Sequence, residues 1–174
     1  MFASLTRIRV GLGALGVAAA SALLVVGPGV HAQAGPVTIT RQSLTLDAAN
    51  SIINAAITQA NSMGVQEVIV IDDRDGFLIA MARMDNARLT SINIAMDKAY
   101  TAAVRQAATA DLIASFRDNP TGMASFLAQP HMTLFGGGIP ITVNGAIVGG
   151  VGASGGTADQ DIDIAQVGLA AIQR

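Results

Sequence analysis

The sequence contains no cysteine, no tryptophan and only two histidines among its 174 residues. The absence of cysteine excludes disulfide bonds, thiolate nucleophiles, cysteine-rich zinc sites and thioether attachment of a prosthetic group. His31 lies close to the N-terminus, so the main part of the chain holds a single histidine, His131. One histidine excludes a multi-histidine metal site within one chain, and it gives little basis for assembling a serine–histidine–aspartate triad.

Aromatic and basic residues are also scarce. The chain has five phenylalanines and one tyrosine, which limits the core to a modest size and favours further burial in an oligomer. After residue 34 there are twelve acidic and eight basic residues, so the net charge of this part is −4. The sequence has no basic patch and no basic stripe interleaved with aromatics, and we therefore expect no nucleic-acid partner.

The N-terminus has the pattern of a secretory signal peptide. Arg7 and Arg9 precede an apolar stretch over 10–26, and small residues follow over 30–34. This order of a basic, an apolar and a small-residue region predicts a signal peptide over 1–34. The alternative interpretation is an uncleaved membrane anchor, since the apolar stretch has about the length of a short membrane span.

Cleavage is predicted between Ala32 and Gly35, which leaves a single domain over 35–174. The mature chain is then expected to be secreted or periplasmic, with no stable membrane anchor. Because it has no disulfides, its stability depends on its core or on oligomerisation.

Two hairpins separated by helices form the predicted framework of this domain. The predicted elements, in chain order, are a helix over 45–63, strands over 68–71 and 77–82, a helix over 89–107, a less regular helical stretch over 109–128, a short strand over 132–135, two strands flanking Asn144-Gly145, and a helix from Thr157. Hairpins imply an antiparallel sheet, and the helices must cover it. We therefore expect an α+β domain with helices on both faces of the sheet.

The segment GGGIPITVNGAIVGGVGASGG, over 136–156, holds nine of the chain's glycines. Glycine weakens a strand interior, so a bare backbone there indicates that something approaches closely. Strand alternation places Gly150, Gly152 and Ser154 on one face and Gly149 on the other. The alternatives for the bare face are the alanine-rich helix, a flat ligand or a second subunit. Gly149, on the opposite face, is expected to tolerate substitution better.

Three groups of side chains are candidates for chemistry. Lys98 is either an exposed lysine with a buried stem or a cation that binds a carboxylate. His131 is either an exposed loop histidine or a metal ligand. The acidic run over 72–75 favours a solvated hairpin turn, because the spacing of a calcium-binding loop is missing.

Three stretches together resemble the GlcG/HbpS family of haem-binding proteins: DNARLTSINIAMDKAYTAA, the glycine-rich segment and DQDIDIAQVGLAAI. They are similar also to the C-terminal domain of some cobalamin adenosyltransferases. The resemblance extends from about Leu44 to Ile172. It implies a profilin-like three-layer α/β/α fold around a five-stranded antiparallel sheet. It also implies homo-oligomers, octamers among them, and binding of haem or another tetrapyrrole.

The resulting hypothesis is a secreted or periplasmic haem-binding protein that serves in haem storage or in redox or iron sensing. Haem requires a cation for its carboxylates, an apolar wall and an axial donor. The residues expected to bind the ligand are Lys98, Thr101, Gly150, Gly152 and Ser154, and His131 is expected to bind the metal. The alternatives are an accessory enzyme of small organic acid catabolism or haem degradation, and an assembly protein without a ligand. No catalytic residue is assigned.

Overall fold

Five helices and four strands make up the part of the chain that the structure, a computed structural model, describes, residues 37–173. In chain order they are α1 (Leu46–Met63), β1 (Val68–Asp73), β2 (Leu78–Arg83), α2 (Thr90–Arg105), α3 (Thr109–Ser115), α4 (Pro120–Leu127), β3 (Gly138–Val143), β4 (Ala146–Ser154) and α5 (Ala158–Ala170). The predicted signal peptide over 1–34 and its cleavage site lie outside the described residues.

The four strands form one antiparallel sheet in the order β2-β1-β4-β3. The predicted sheet of five strands is therefore wrong, because the segment over 132–135 does not join the ladder. Its backbone is bound instead by helix side chains. The Thr101 hydroxyl accepts a hydrogen bond from Thr133 N at 3.0 Å, and the Thr109 hydroxyl donates to Phe135 O at 2.7 Å.

Helices cover both faces of the sheet, as expected. On one face α1 and α5 pack over Ile69, Ile71 and Val151. On the other face α2 packs over Val68 and Val70. Alternate residues of β1 thus serve opposite cores, which is why this strand reads as a continuous apolar run rather than an alternating one. The α+β class with an antiparallel sheet is confirmed.

Local signals in the sequence set several element boundaries. The Thr45 side chain accepts a hydrogen bond from Ala48 N at the start of α1, and Gly64 ends the helix in the left-handed conformation. Thr157 and Gln160 form a capping box at the start of α5. Asn144 and Gly145 both have positive φ, as a tight hairpin turn requires.

Helix α2 occupies the bare face of β4. A Cβ added to Gly150 would meet the carbonyl oxygen of Ala99, and one added to Gly152 would meet that of Ala95. Of the three alternatives raised for this face, the alanine-rich helix is the one that the structure contains. The glycines and alanines let the two backbones approach more closely than larger side chains would permit.

A bulge in β4 disturbs the predicted alternation. Ile141 pairs with Gly149 and Thr142 pairs with Ile147, which leaves Val148 as an extra residue. Val148 consequently packs in the core on the α1–α5 side. A Cβ added to Gly149 would meet the carbonyl oxygen of Asp72 in β1, so the expected tolerance at Gly149 is not supported by this geometry.

None of the helices within residues 37–173 combines the length and the apolar composition that crossing a bilayer requires.

Candidate functional site

Two pockets lie on different sides of helix α2. The Lys98 pocket encloses about 270 Å³ and is lined by Arg88, Thr90, Ser91, Ile94, Lys98, Phe135, Gly136, Ser154, Gly156, Ala158 and Asp161. The second pocket, which we name the His131 surface, has a volume of about 260 Å³. It is lined by Asp72, Gly76, Phe77, Leu78, Met96, Tyr100 and His131. Lys98 and His131, which the sequence hypothesis placed in one site, thus line different pockets.

Lys98 is the only lysine of the chain, and it is 98% buried: its relative exposure is 2%. Its ammonium Nζ donates to Asp161 Oδ2 at 2.6 Å and to the carbonyl oxygen of Ala153 at 2.8 Å. The interpretation of Lys98 as an exposed lysine is therefore wrong. The cation is present, but its first partner is a carboxylate of helix α5 rather than a ligand.

Glu67 is the only glutamate of the chain, and it lies fully buried at the start of β1. Among the described residues, neither of its carboxyl oxygens has a hydrogen-bond partner. Burial, together with the neighbouring carboxylate of Asp161, raises the pKa of Glu67 to about 8, and Lys98 acts in the opposite direction. Glu67 is thus mostly protonated at neutral pH, behind the Lys98–Asp161 pair.

Sequence reasoning missed both Glu67 and Asp161. Asp161 lies in the first turn of α5, where a negative charge is also favourable for the helix dipole. Its carboxylate additionally accepts from Gly156 N at 2.9 Å. The sequence did contain a usable signal, because the single glutamate stands immediately before an apolar strand. A charged residue is rarely buried without a partner, so this position indicated a partner for Glu67 elsewhere in the chain.

Four further polar side chains line the Lys98 pocket, those of Arg88, Thr90, Ser91 and Ser154. Ser91 and Ser154 are both buried, with relative exposures of 2% and 5%. Arg88 is exposed, and its Nη2 donates to the carbonyl oxygen of Gly155 at 2.5 Å. Ser154 was predicted from the glycine-rich strand, whereas the other three were not. The pocket therefore offers three hydroxyls and a guanidinium around the buried ion pair.

Thr101 connects helix α2 to the loop that carries His131. Its hydroxyl donates to the carbonyl oxygen of His131 at 3.0 Å and accepts from Thr133 N at 3.0 Å. Both hydrogen-bonding directions are thus used within the chain, at a buried position. Thr101, like Gly150 and Gly152, is placed where it supports the fold rather than where it faces either pocket.

His131 is held in a defined orientation although it is exposed. Its Nδ1 donates to Asp97 Oδ1 at 3.0 Å, and its ring centroid lies 5.6 Å from that of Tyr100. The backbone of His131 has a positive φ, which turns the chain back toward α2. A carboxylate on Nδ1 fixes the tautomer and leaves Nε2 with its lone pair free, as in histidines that bind metals.

The residues beside His131 are mainly apolar and partly exposed. Phe77 and Leu78 have relative exposures of 71% and 52%, and Met96 lies between them and the histidine loop. Asp72 lies at the same surface but is buried. Burial, together with the neighbouring Asp73, raises its pKa to about 7, and His131 acts in the opposite direction.

The acidic run over 72–75 shapes the hairpin rather than a cation site. Asp73 Oδ1 accepts from the backbone N–H groups of Asp75 and Phe77, both at 2.9 Å. This confirms the interpretation as a turn for Asp73 and Asp75, whereas Asp72 is buried within β1 and is not part of a solvated turn. Over residues 37–173, no group of three or more histidine, aspartate or glutamate side chains is arranged to hold a metal ion.

Comparison with known proteins finds matches along most of the chain. A family model described as "Haem degrading protein HbpS-like" matches residues 44–170. A crystal structure of HbpS superposes with a TM-score of 0.73 and 31% identity, and the match covers 81% of this chain and 98% of that one. The protein GlcG of Escherichia coli K12 is 31% identical over 115 residues, which are 66% of this chain and 84% of GlcG.

The corrinoid adenosyltransferase PduO of Citrobacter freundii is 35% identical over 134 residues. The match covers 75% of this chain but only 39% of PduO, so the chain corresponds to one part of that enzyme. A crystal structure described as a PduOC:Heme complex has a TM-score of 0.70 and 34% identity, and the match covers 75% of this chain and 96% of that one.

Proposed function

The chain belongs to the HbpS-like family, as its sequence motifs indicate, and on this premise we propose that it binds haem or a related tetrapyrrole at the His131 surface. The observation that carries the proposal is the hydrogen bond of 3.0 Å between His131 Nδ1 and Asp97. It holds the imidazole in place while Nε2 stays available to an iron atom. The relative that was crystallised with haem, PduOC, supports the same ligand.

The described residues beside His131 fit the flat part of such a ligand. Phe77, Leu78 and Met96 expose apolar surface that a porphyrin ring would cover, and Tyr100 provides an aromatic neighbour. Burial of apolar surface is the main favourable term for a ligand of this kind. When bound, haem would supply a redox-active iron, and the protein would supply the axial donor and a face from which water is excluded.

The cellular role that we favour is haem storage or redox or iron sensing by an exported homo-oligomer. Support for export comes from the predicted signal peptide over 1–34. Support for an oligomer comes from the small core and from edge strand β2, where Leu78 and Met81 are exposed. N-terminal sequencing of secreted or periplasmic material and light scattering of the purified mature chain test these two points.

Haem degradation is the second candidate, and the description of the family model favours it. Storage and degradation differ in what happens to the bound ligand. A Soret band that persists with a reductant and oxygen supports storage or sensing. A Soret band that decays faster with the protein than with free haem supports degradation.

The test of the site is a haemin titration of the mature protein followed by absorption spectroscopy. We expect saturable binding, and we expect His131→Ala to shift the Soret band and weaken binding. Asn50→Ala, exposed on α1 across the sheet, is the matched control and should behave like the wild type. An unchanged titration for His131→Ala would reject this site, and no saturable binding by the wild type would reject haem as the ligand.

A further inference from the structure

We propose that the Lys98 pocket is a second binding site, separate from the His131 surface, and that it takes a small organic carboxylate that also carries a hydroxyl or carbonyl group. Its residues come from the start of α2, the end of β4 and the start of α5. The proposal does not depend on haem binding, because the two pockets have different lining residues.

The first observation is a pair of serine hydroxyls that line the pocket. Ser91 and Ser154 have relative exposures of only 2% and 5%. Neither side chain forms a hydrogen bond with the residues that the structure describes, and neither hydroxyl is among the fully buried polar atoms. Both hydroxyls are therefore open to the pocket, where a polar ligand can donate to them or accept from them.

The second observation concerns the donors of Lys98. An ammonium group has three N–H donors, and two of them are used, by Asp161 and by the carbonyl oxygen of Ala153. Lys98 also lines the cavity. The third donor is therefore available to an oxygen atom of a ligand in the pocket that the two serines also line.

The charge of the pocket selects a monoanion. Lys98 and Asp161 balance each other, and the carboxyl of Glu67 behind them is mostly protonated because burial raises its pKa to about 8. The positive charge of the Arg88 guanidinium, at the mouth of the pocket, is then not balanced by a negative charge of the lining. Arg88 uses one of its five donors on Gly155, so a fork remains for a carboxylate.

Size and apolar lining restrict the ligand further. The pocket volume of about 270 Å³ lies below the range of roughly 300–1,000 Å³ that is typical of sites for drug-sized ligands, so a ligand held inside this pocket has to be small. Ile94, Phe135 and Ala158 supply apolar lining for a short carbon skeleton. A dianion such as phosphate has no apolar part to bury against that lining, and the carboxylate of Asp161 would repel it.

The test is calorimetry and thermal shift of the mature protein with lactate and pyruvate as probes. Propanoate, which lacks the second oxygen group, and lactamide, which lacks the charge, are the matched controls. We expect saturable binding of at least one of the two acids, weaker binding of propanoate and none of lactamide. Binding of neither acid, or equal binding of lactamide, would overturn the proposal, as would a preference for inorganic phosphate.

Variants assign the binding to this pocket. Arg88→Ala is expected to weaken binding of the acid by about tenfold or more, since a charge-assisted bond is lost. Ser154→Ala should weaken it less. Arg117→Ala removes another exposed arginine and should have no effect. Equal affinities for Arg88→Ala and Arg117→Ala, in variants that keep their circular dichroism spectra, would refute the assignment.

The same variants separate this site from the proposed haem site. Arg88→Ala should leave the haemin titration unchanged, and His131→Ala should leave binding of the acid unchanged. If haem binding fails in the wild type while acid binding persists, only the proposed haem function falls. If Arg88→Ala abolishes both, the two pockets are not separate sites and this inference is wrong.

Discussion

The two sides of helix α2 carry chemically similar pairs in opposite surroundings. Lys98 and Asp161 lie 2.6 Å apart with relative side-chain exposures of 2% and 5%, whereas His131 and Asp97 lie 3.0 Å apart with exposures of 63% and 35%. In each pair an aspartate orients a nitrogen-bearing side chain. In the first pair both groups have lost their water, while in the second the histidine keeps most of it. We infer that the first pair constrains the fold and the second can be changed with little effect on it.

The largest expected effect is therefore a loss of protein stability when the buried pair is broken. Lys98→Met leaves Asp161 buried without its cation and is expected to destabilise the protein by about 3–5 kcal/mol. Adding Asp161→Asn should recover part of this loss, since no isolated charge then remains buried. Urea unfolding monitored by circular dichroism measures both. Losses for Lys98→Met below about 1 kcal/mol, the level of exposed pairs, would show that burial does not distinguish the two sides.

The next effect is a pH dependence of stability that comes from the buried carboxyl groups. The pKa of Glu67 is raised from 4.5 to about 8, so between these values the folded state keeps a proton that the unfolded state has released. Stability should accordingly fall as the pH rises through this interval, by up to about 1.4 kcal/mol per pH unit, and then level off. The raised pKa of Asp72, to about 7, adds a fall of the same sign.

Glu67→Gln isolates the contribution of Glu67, because an amide does not titrate in this interval. We expect urea midpoints of this variant to change less between acidic and mildly alkaline buffer than those of the wild type. Asp47→Asn, at an exposed position in the first turn of α1, is the control. Parallel midpoint curves for wild type and Glu67→Gln would contradict the predicted role of Glu67.

Patterns within a few residues were sufficient to predict most of the fold. Capping at Thr45 and Thr157 and the turn at Asn144-Gly145 depend on neighbours along the chain, and the structure contains them. The failures depend on distant partners. The segment over 132–135 has strand-like residues, yet its backbone bonds to Thr101 and Thr109 of the helices.

The candidate site was less predictable for the same reason. Lys98 was identified from its motif, but its partner lies 63 positions away in the sequence, on α5. Nothing local to Asp161 distinguishes a capping charge from half of a buried ion pair. His131 was identified because it is the only histidine after residue 34, whereas the aspartate that orients it lies on α2, 34 positions away.

The smallest expected effect on stability, and the sharpest test of the exposed side, is Asp97→Asn. The His131–Asp97 pair is exposed to water, so its loss should change the free energy of unfolding by no more than about 1 kcal/mol. Its effect on the proposed haem site should be larger, because a carboxylate on Nδ1 sets the tautomer and basicity of the ligating imidazole. Loss of such a partner typically lowers metal affinity by about 10–100-fold.

We therefore expect a haemin titration of Asp97→Asn to show weaker binding with a shifted Soret band, next to a urea midpoint that changes little. Asp118→Asn, exposed after α3, should change neither. A large loss of stability would mean that the His131 pair supports the fold as the Lys98 pair does. Unchanged stability together with an unchanged titration would mean that Asp97 does not position a ligand of iron.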